Sequence, residues 1–188
     1  MNFLAGGGTG VYIDTGTWST KAIKEAGIVA NAHVAYAGKD GDYKHIPTDD
    51  ELDIPTDGKY VHVTTNNTIK GTQFHREVDA KGLPLICDMS SDIASMPRDF
   101  TKYSMFYAGA QKNLGPSGVT LVCMRDELLS KSNADLPTLL NYQTQAGKKS
   151  LYNTPPSFSI YLLKLVLEWV KSNGGIEGVG KLNAAKKD

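Results

Sequence analysis

Residues 85–118, LICDMSSDIASMPRDFTKYSMFYAGAQKNLGPSG, constrain this chain more than any other stretch. Two short apolar runs stand in it, Leu85-Ile86-Cys87 and Met105-Phe106-Tyr107-Ala108-Gly109-Ala110. Each is too short and too continuously apolar for an amphipathic helix, so each reads as a strand buried on both faces. The first closes on Asp88 and then the small polar pair Ser90-Ser91; the second closes on Gln111-Lys112. Asn-Leu-Gly-Pro-Ser-Gly follows, a composition that does not continue as helix. Strands of this kind belong in a largely parallel sheet covered on both sides, where ligands bind beyond the carboxyl ends.

The pattern recurs along the chain. Val11-Tyr12-Ile13 reads as a strand, and residues 19–26 as a helix with Ser19 as its N-cap. Residues 31–37 (NAHVAYA) and 60–64 (YVHVT) read as strands, and residues 65–71 as an Asn- and Gly-rich turn. Residues 38–59 form a long polar excursion, and residues 74–82 a short polar linker. GVTLVCM (118–124) reads as a further strand, the antiparallel return of the fold, and residues 125–132 as a short polar helix. Residues 136–147 read as a loop carrying Tyr142 and Gln143. Pro155 and Pro156 open a long amphipathic helix. In it Ile160, Leu163, Val166, Leu167 and Val170 recur at helical spacing, up to Gly174-Gly175. At the other end, residues 1–4 read as the close of a helix and residues 5–10 as a glycine-rich turn without a phosphate-binding pattern. The expected fold is α/β: a mainly parallel sheet flanked by helices.

Composition removes several function classes. Lys plus Arg equals Asp plus Glu at 20 each, so no basic surplus points to nucleic acid. No apolar run approaches the length of a membrane span, and no positive stretch ahead of an apolar core suggests a signal peptide. Cys87 and Cys123 sit in strand-like runs and read as buried thiols of a reducing compartment, with the cytoplasm as the expected location. His33, His45, His62 and His75 lack ligand spacing, so no metal site is expected.

Trp18, Thr68, Asp88 and Lys112 each follow a strand run, so one surface of the sheet can present all four. An amine and a carboxylate at strand ends are what a pyridoxal phosphate (PLP) site needs. The lysine forms a Schiff base with the cofactor aldehyde, and the carboxylate keeps the ring nitrogen protonated so that the ring accepts electrons. Spacing alone leaves a second reading open, in which Asp88 caps a turn and Lys112 is a solvated loop residue.

Five segments carry a resemblance that favours the first reading: GTWSTKAIKEA (16–26), TTNNTIKGTQF (64–74), the two segments around Asp88 and Lys112, and LYNTPPSFSIYLLKLVLEWVKSNGG (151–175). Together they resemble the phosphoserine aminotransferase family, class V and fold type I among PLP enzymes, in the family's order and over nearly the whole chain. AQKNLGPSGV and YNTPPSFSIY are its most specific motifs. The resemblance implies that Lys112 holds PLP and then acts as general base. It places Asp88 at the ring nitrogen, Trp18 stacked on the ring, and Thr68 and Gln111 orienting ring and phosphate. It also implies a homodimer in which Asn153 and Thr154 reach the phosphate in the neighbouring subunit's site. The implied reaction transfers an amino group between glutamate and 3-phosphohydroxypyruvate, in serine biosynthesis.

Set against the family, the chain is expected to be a central piece. Residues 1–175 match the PLP-binding large domain without its N-terminal part, and residues 176–188 the start of the linker helix to a small domain. Arg76, Arg98 and Arg125 match none of the family's substrate- or phosphate-binding arginines. Two alternatives therefore stand beside the aminotransferase reading: a truncated chain without activity, and another fold-type I enzyme such as a cysteine desulfurase or an alanine–glyoxylate aminotransferase.

Overall fold

The structure is a computed structural model and describes residues 1–4 and 7–186. Ala5 and Gly6 of the glycine-rich turn, and Lys187 and Asp188 of the tail, lie outside the described residues.

The elements run β1 (Thr9–Asp14), α1 (Thr17–Val29), β2 (Asn31–Ala37), β3 (Tyr60–Thr64), β4 (Asn66–Asn67), β5 (Thr72–Gln73), β6 (Leu85–Asp88), β7 (Met105–Gly109), β8 (Thr120–Met124), α2 (Asp126–Leu129), α3 (Tyr142–Gly147), α4 (Ser157–Ser172) and α5 (Gly175–Ala185). Six strands form one sheet in the order β2-β1-β3-β6-β7-β8, while β4 and β5 make a small antiparallel hairpin. All neighbours in the large sheet are parallel except β7 and β8. The expected α/β sheet and its antiparallel return strand are both present.

Alternation divides the sheet into two chemically different faces. Val11, Ile13, Val61, Val63, Leu85, Cys87 and Ala108 make one, an aliphatic core. Loops supply most of its cover, with α4 contributing Leu163. Phe74, Val78 and Ala80, from the stretch expected to be a polar linker, are buried there beside Met89, Ile93, Tyr103 and Leu114. The polar residues between them mask an inward-facing set that is too sparse to dominate the local composition. On the other face lie Tyr12, Tyr60, Ile86 and Met105, packed by Ala22, Ile23 and Ala26 of α1.

Several local expectations need correction. Residues 2–3 form a turn and not a helix end. The first helix starts at Thr17 with Gly16 as N-cap, so Ser19 is the third helical residue. The loop expected over residues 136–147 contains α3, capped by Asn141 through its side chain to the Gln143 N–H. Pro156 is the N-cap of α4, one position earlier than a first-turn proline. Along α4, Leu163 packs on the aliphatic core. Ile160 and Leu167, on the same expected apolar face, are 41% and 47% exposed.

Two buried polar features bear on stability in different ways, an ion pair and a histidine. Asp92 and Arg98 pair at 2.7 Å with both side chains only 2% exposed. Asp92 also accepts from Thr65 Oγ1 at 2.5 Å and Gln73 Nε2 at 3.2 Å, and Arg98 donates to Phe74 O at 2.9 Å. Breaking such a pair from one side strands a charge. Asp92→Ala is expected to lose about 3–5 kcal/mol in urea unfolding. The double variant Asp92→Leu with Arg98→Met should recover much of that loss; a double loss equal to the sum of the two single losses would mean that the two groups are not coupled.

His62 is the second. It is buried on the aromatic face, its Nε2 lies 3.0 Å from the Tyr107 hydroxyl, and its Nδ1 has no partner among the described residues. Burial pushes its pKa down to about 4 from 6.5, against an opposing pull from Asp88. The unfolded chain therefore binds the extra proton first as pH falls, so His62 subtracts stability between pH 6.5 and 4 and nothing above 6.5. His62→Asn should gain about 2 kcal/mol relative to wild type when urea unfolding moves from about pH 7.5 to about pH 4.5. A constant difference across that range would show that His62 titrates alike in both states.

Candidate active site

The carboxyl ends of β1, β6 and β7 and the β4–β5 hairpin converge on one edge of the sheet. β1 ends in Asp14-Thr15-Gly16, and its turn into α1 is tied by hydroxyls. Ser19 Oγ accepts from the N–H groups of Thr15 and Gly16, both at 2.9 Å. It also lies 2.8 Å from Asp14 Oδ1 and from Gly16 O, one of which takes its proton. This fixes Trp18, half-buried in the first turn of α1. Its indole Nε1–H donates to Thr68 Oγ1 at 3.1 Å.

Thr68 follows β4 directly, in the turn of the hairpin. Its Oγ1 also accepts from Lys112 Nζ at 3.4 Å, and that ammonium lies 5.2 Å from the centre of the Trp18 ring. Trp18, Thr68 and Lys112, some of them far apart in sequence, thus form one contact cluster. Lys21, which sequence reasoning passed over, places its Nζ 4.7 Å from the same ring centre. Cation and indole attract through the ring's negative face.

Lys112 is exposed, as are Gln111 and Asn113, but the residues two positions away on either side are not. Ala110 and Leu114 are buried at 1% and 2% exposure, and the Leu114 N–H closes a turn on Ala110 O at 3.1 Å. Asn113 Nδ2 donates to Ile93 O at 2.7 Å. Gln111 and Lys112 therefore ride on an anchored turn. The Gln111 carboxamide lies over Gly109, where a Cβ would come within 2.5 Å of its Oε1, so a side chain there would push the carboxamide aside.

Asp88 ends β6, in register with Thr64 of β3 and Tyr107 of β7. It is half-buried, and its Oδ1 accepts the Ser90 N–H at 2.9 Å. Ser90 Oγ in turn accepts the Gly109 N–H at 3.2 Å, which ties the Asp88 end to the Lys112 end. Ser91 Oγ donates to Asn66 O at 2.8 Å and ties it to the hairpin. Neither serine's bridging role was legible beforehand, although the pair marks the strand end in the sequence.

Asn153 and Thr154 stand apart. Both are exposed, just ahead of α4, and neither makes a hydrogen bond among the described residues. The arginines are committed elsewhere. Arg76 pairs with Asp49 at 2.7 Å, Arg98 with Asp92, and Arg125 bonds the carbonyls of Tyr103 and Thr101. Among the described residues, no group of three or more His, Cys, Asp or Glu side chains could hold a metal ion. No described helix is long and apolar enough to cross a membrane.

This donor set fits PLP: an accessible amine, a flat indole pinned at its nitrogen, a hydroxyl, and a tethered carboxylate at an adjoining strand end. Known proteins agree. A phosphoserine aminotransferase of Lysinibacillus sphaericus (strain C3-41) is 50% identical over 186 residues, spanning 99% of this chain and 51% of that protein. The solved phosphoserine aminotransferase from Bacillus circulans subsp. alkalophilus superposes with a TM-score of 0.94 at 47% identity, covering 98% of this chain and 51% of its own. The PLP-bound phosphoserine aminotransferase of Trichomonas vaginalis gives 0.89 at 30% identity, over 97% of this chain and 55% of its own. The chain spans about half the length of the curated relatives it matches. The aminotransferase class-V family matches residues 1–188, and the chain belongs to that family.

Proposed function

We propose that this chain carries the PLP-binding core of a phosphoserine aminotransferase, acting on 3-phosphohydroxypyruvate and L-glutamate to give O-phospho-L-serine and 2-oxoglutarate. The contact of Lys112 with Thr68 and Trp18 carries the reading, supported by 50% identity to a named relative.

Bound PLP supplies an electron sink and an aldehyde that can exchange amines. The chain's own residues do the rest. Lys112 Nζ would hold the cofactor and, once free, serve as the proton-transferring base, and its anchored turn limits where the amine can go. The Trp18 indole offers a flat apolar face whose rotation is limited by Thr68. Thr68 Oγ1 accepts from both Lys112 and the indole, so one hydroxyl sets the amine against the ring plane. Asp88 would keep the ring nitrogen protonated, and its Oδ1 is steered by the Ser90 N–H. Gln111 orients ring and phosphate from beside Lys112.

Asn153 and Thr154 serve the partner subunit in this reading. The exposed apolar surface of α4 supports a homodimer, with Phe158 71%, Tyr161 54% and Trp169 51% exposed. Residues 1–175 then act as the large domain and residues 176–188 as the start of the linker helix. α5 docks through Val179, 6% exposed, and through Asn183 Nδ2 to Ser95 O at 2.8 Å. A role in serine biosynthesis and a cytoplasmic location follow from the reaction.

A second reading is favoured by the arginines. All three are engaged in contacts within the fold, and planar guanidinium groups are the usual grip on carboxylate and phosphate. On that reading the 188-residue chain binds PLP without turning over phosphoserine by itself.

The purified chain, mixed with PLP and freed of excess, should show a visible absorbance band that Lys112→Ala lacks. No band in either protein would remove the cofactor reading; a band without phosphoserine turnover would select the second reading. The dimer has its own test. Lys112→Ala and the double variant Asn153→Ala/Thr154→Ala should each retain PLP poorly, the double variant by roughly tenfold in affinity. Mixing them should restore tight binding in hybrid dimers, and failure of the mixture to do so would argue against a shared site.

A further inference from the structure

Asn67 lies in the two-residue strand β4, in a stretch whose composition is that of a turn, and has the environment of a core residue. It is fully buried. Its Oδ1 accepts the Trp18 N–H at 3.0 Å and the Ser19 N–H at 3.3 Å, and its Nδ2 donates to Thr15 Oγ1 at 3.1 Å. These amides are the free donors at the start of α1. A helix usually satisfies them with its own N-cap side chain. Here the N-cap is Gly16, which has none, and the cap comes from another element.

The glycine and the asparagine are matched. A Cβ on Gly16 would lie 2.6 Å from both Cβ and Cγ of Asn67, so the bare backbone is what lets the carboxamide reach the helix. The hairpin holds the carboxamide from its own side. Asn67 pairs with Thr72, whose Oγ1 donates to Thr15 O at 2.6 Å, and the Gly71 N–H donates to Asn67 O at 2.8 Å.

The next residue completes the grip. Thr68 Oγ1 accepts the indole Nε1–H of Trp18, while Asn67 Oδ1 accepts its backbone N–H. Two consecutive hairpin residues therefore hold Trp18 at both ends, and between those two bonds the indole plane has little freedom.

We propose that Asn67 is a positioning residue that sets the plane of the Trp18 indole, and through it the face offered to the cofactor ring beside Lys112. The second half of this statement rests on the PLP reading; the hold on Trp18 does not. A carboxamide suits the task because the group must accept from two amides and donate to a hydroxyl while reaching across from a separate element. Aspartate keeps the acceptor, and the Thr15 hydroxyl can turn to donate to it.

The test uses the full chain in a Trp169→Phe background, which leaves Trp18 as its one tryptophan. Wild type, Asn67→Ala, Asn67→Asp and Gly16→Ala are compared by near-ultraviolet circular dichroism and acrylamide quenching without cofactor. Far-ultraviolet spectra check the fold, and PLP titration follows the visible band. Asn67→Ala and Gly16→Ala are expected to lose most of the indole's near-ultraviolet signal and to bind PLP roughly tenfold more weakly. Asn67→Asp is expected to keep both signals. A purely structural asparagine would lower the melting temperature of Asn67→Ala while the indole signal stayed as in wild type, and that result overturns the proposal. If Asn67→Ala does not fold, the other two variants decide: a lost indole signal in Gly16→Ala beside a retained one in Asn67→Asp supports it, and wild-type signals in both overturn it. If wild type binds no PLP while the indole signals change as expected, the cofactor reading falls and the hold on Trp18 stands.

Discussion

The carboxylate of Asp92 is the point at which the loops beneath the site meet. It takes Arg98 on one oxygen with Gln73, and Thr65 on the other. Thr65 is the pivotal partner. Its N–H donates to Asp88 O at 3.0 Å, its Oγ1 lies near both Asp92 Oδ1 and Asp88 O, one of which takes its proton, and its O accepts the Phe74 N–H at 2.8 Å. One buried acid thus sets the end of β3, the end of β6 and the return of the hairpin. Charges this deep add little net stability, because desolvation opposes the Coulomb attraction. They do add uniqueness of geometry here: with the donors of three segments aimed at one carboxylate, the hairpin cannot slide without stranding it.

That constraint explains how exposed residues can form an ordered site. Lys112, Gln111 and Thr68 are all exposed, as groups that meet a ligand must be. Their placement comes from buried neighbours one or two positions away: Ala110 and Leu114 for the lysine, Asn67 for the threonine, Cys87 for Asp88. Among these candidate residues, Thr68 and Asp88 follow a buried residue directly, and Gln111 and Lys112 are the first two solvent-facing positions after Ala110. The division also separates the effects of mutation. Changing an exposed member should alter chemistry and leave the fold, whereas changing an anchor alters both.

β3 was legible because burial on both faces forces a continuous β-branched and aromatic run: YVHVT matches it residue for residue, and all five of its residues are buried. NAHVAYA matches β2 residue for residue, although that edge strand buries only Ala35. The convergence of Trp18, Thr68 and Lys112 was legible for the same reason, since strand ends in a parallel sheet share one edge. What escaped depended on distant partners. Ser19 looked like an N-cap because the real cap, Asn67, lies 48 residues away and leaves no local trace. β4 and β5 have two residues each, below any readable period. In residues 74–82 three inward side chains were outnumbered by four charged ones, which are half-buried or exposed. α3 is capped by Asn141 and has no apolar stripe to betray it.

α4 poses the remaining physical problem. Its sequence carries apolar residues around much of its circumference: Phe158, Ile160, Tyr161, Leu165, Leu167 and Trp169 are all at least 40% exposed. The residues that face the sheet, Leu163 among them, are only partly covered, and no residue of α4 is fully buried. A helix apolar on more than one face is built to be covered on more than one face. The described fold covers one. A groove of about 460 Å³ between Gly115, Pro116, Leu162, Leu165, Val166 and Trp169 runs along the uncovered side. Gly115 and Pro116 belong to the loop that follows Lys112, so whatever covers α4 also presses on that loop. Asn153 and Thr154 lie on the strand of chain leading into the same helix. In the homodimer proposed above, burying α4 and bringing Asn153 and Thr154 to a neighbouring site are therefore one event. Hydrophobic burial of the helix supplies the free energy, and the polar pair, which alone is worth only a few hydrogen bonds, is carried into place with it.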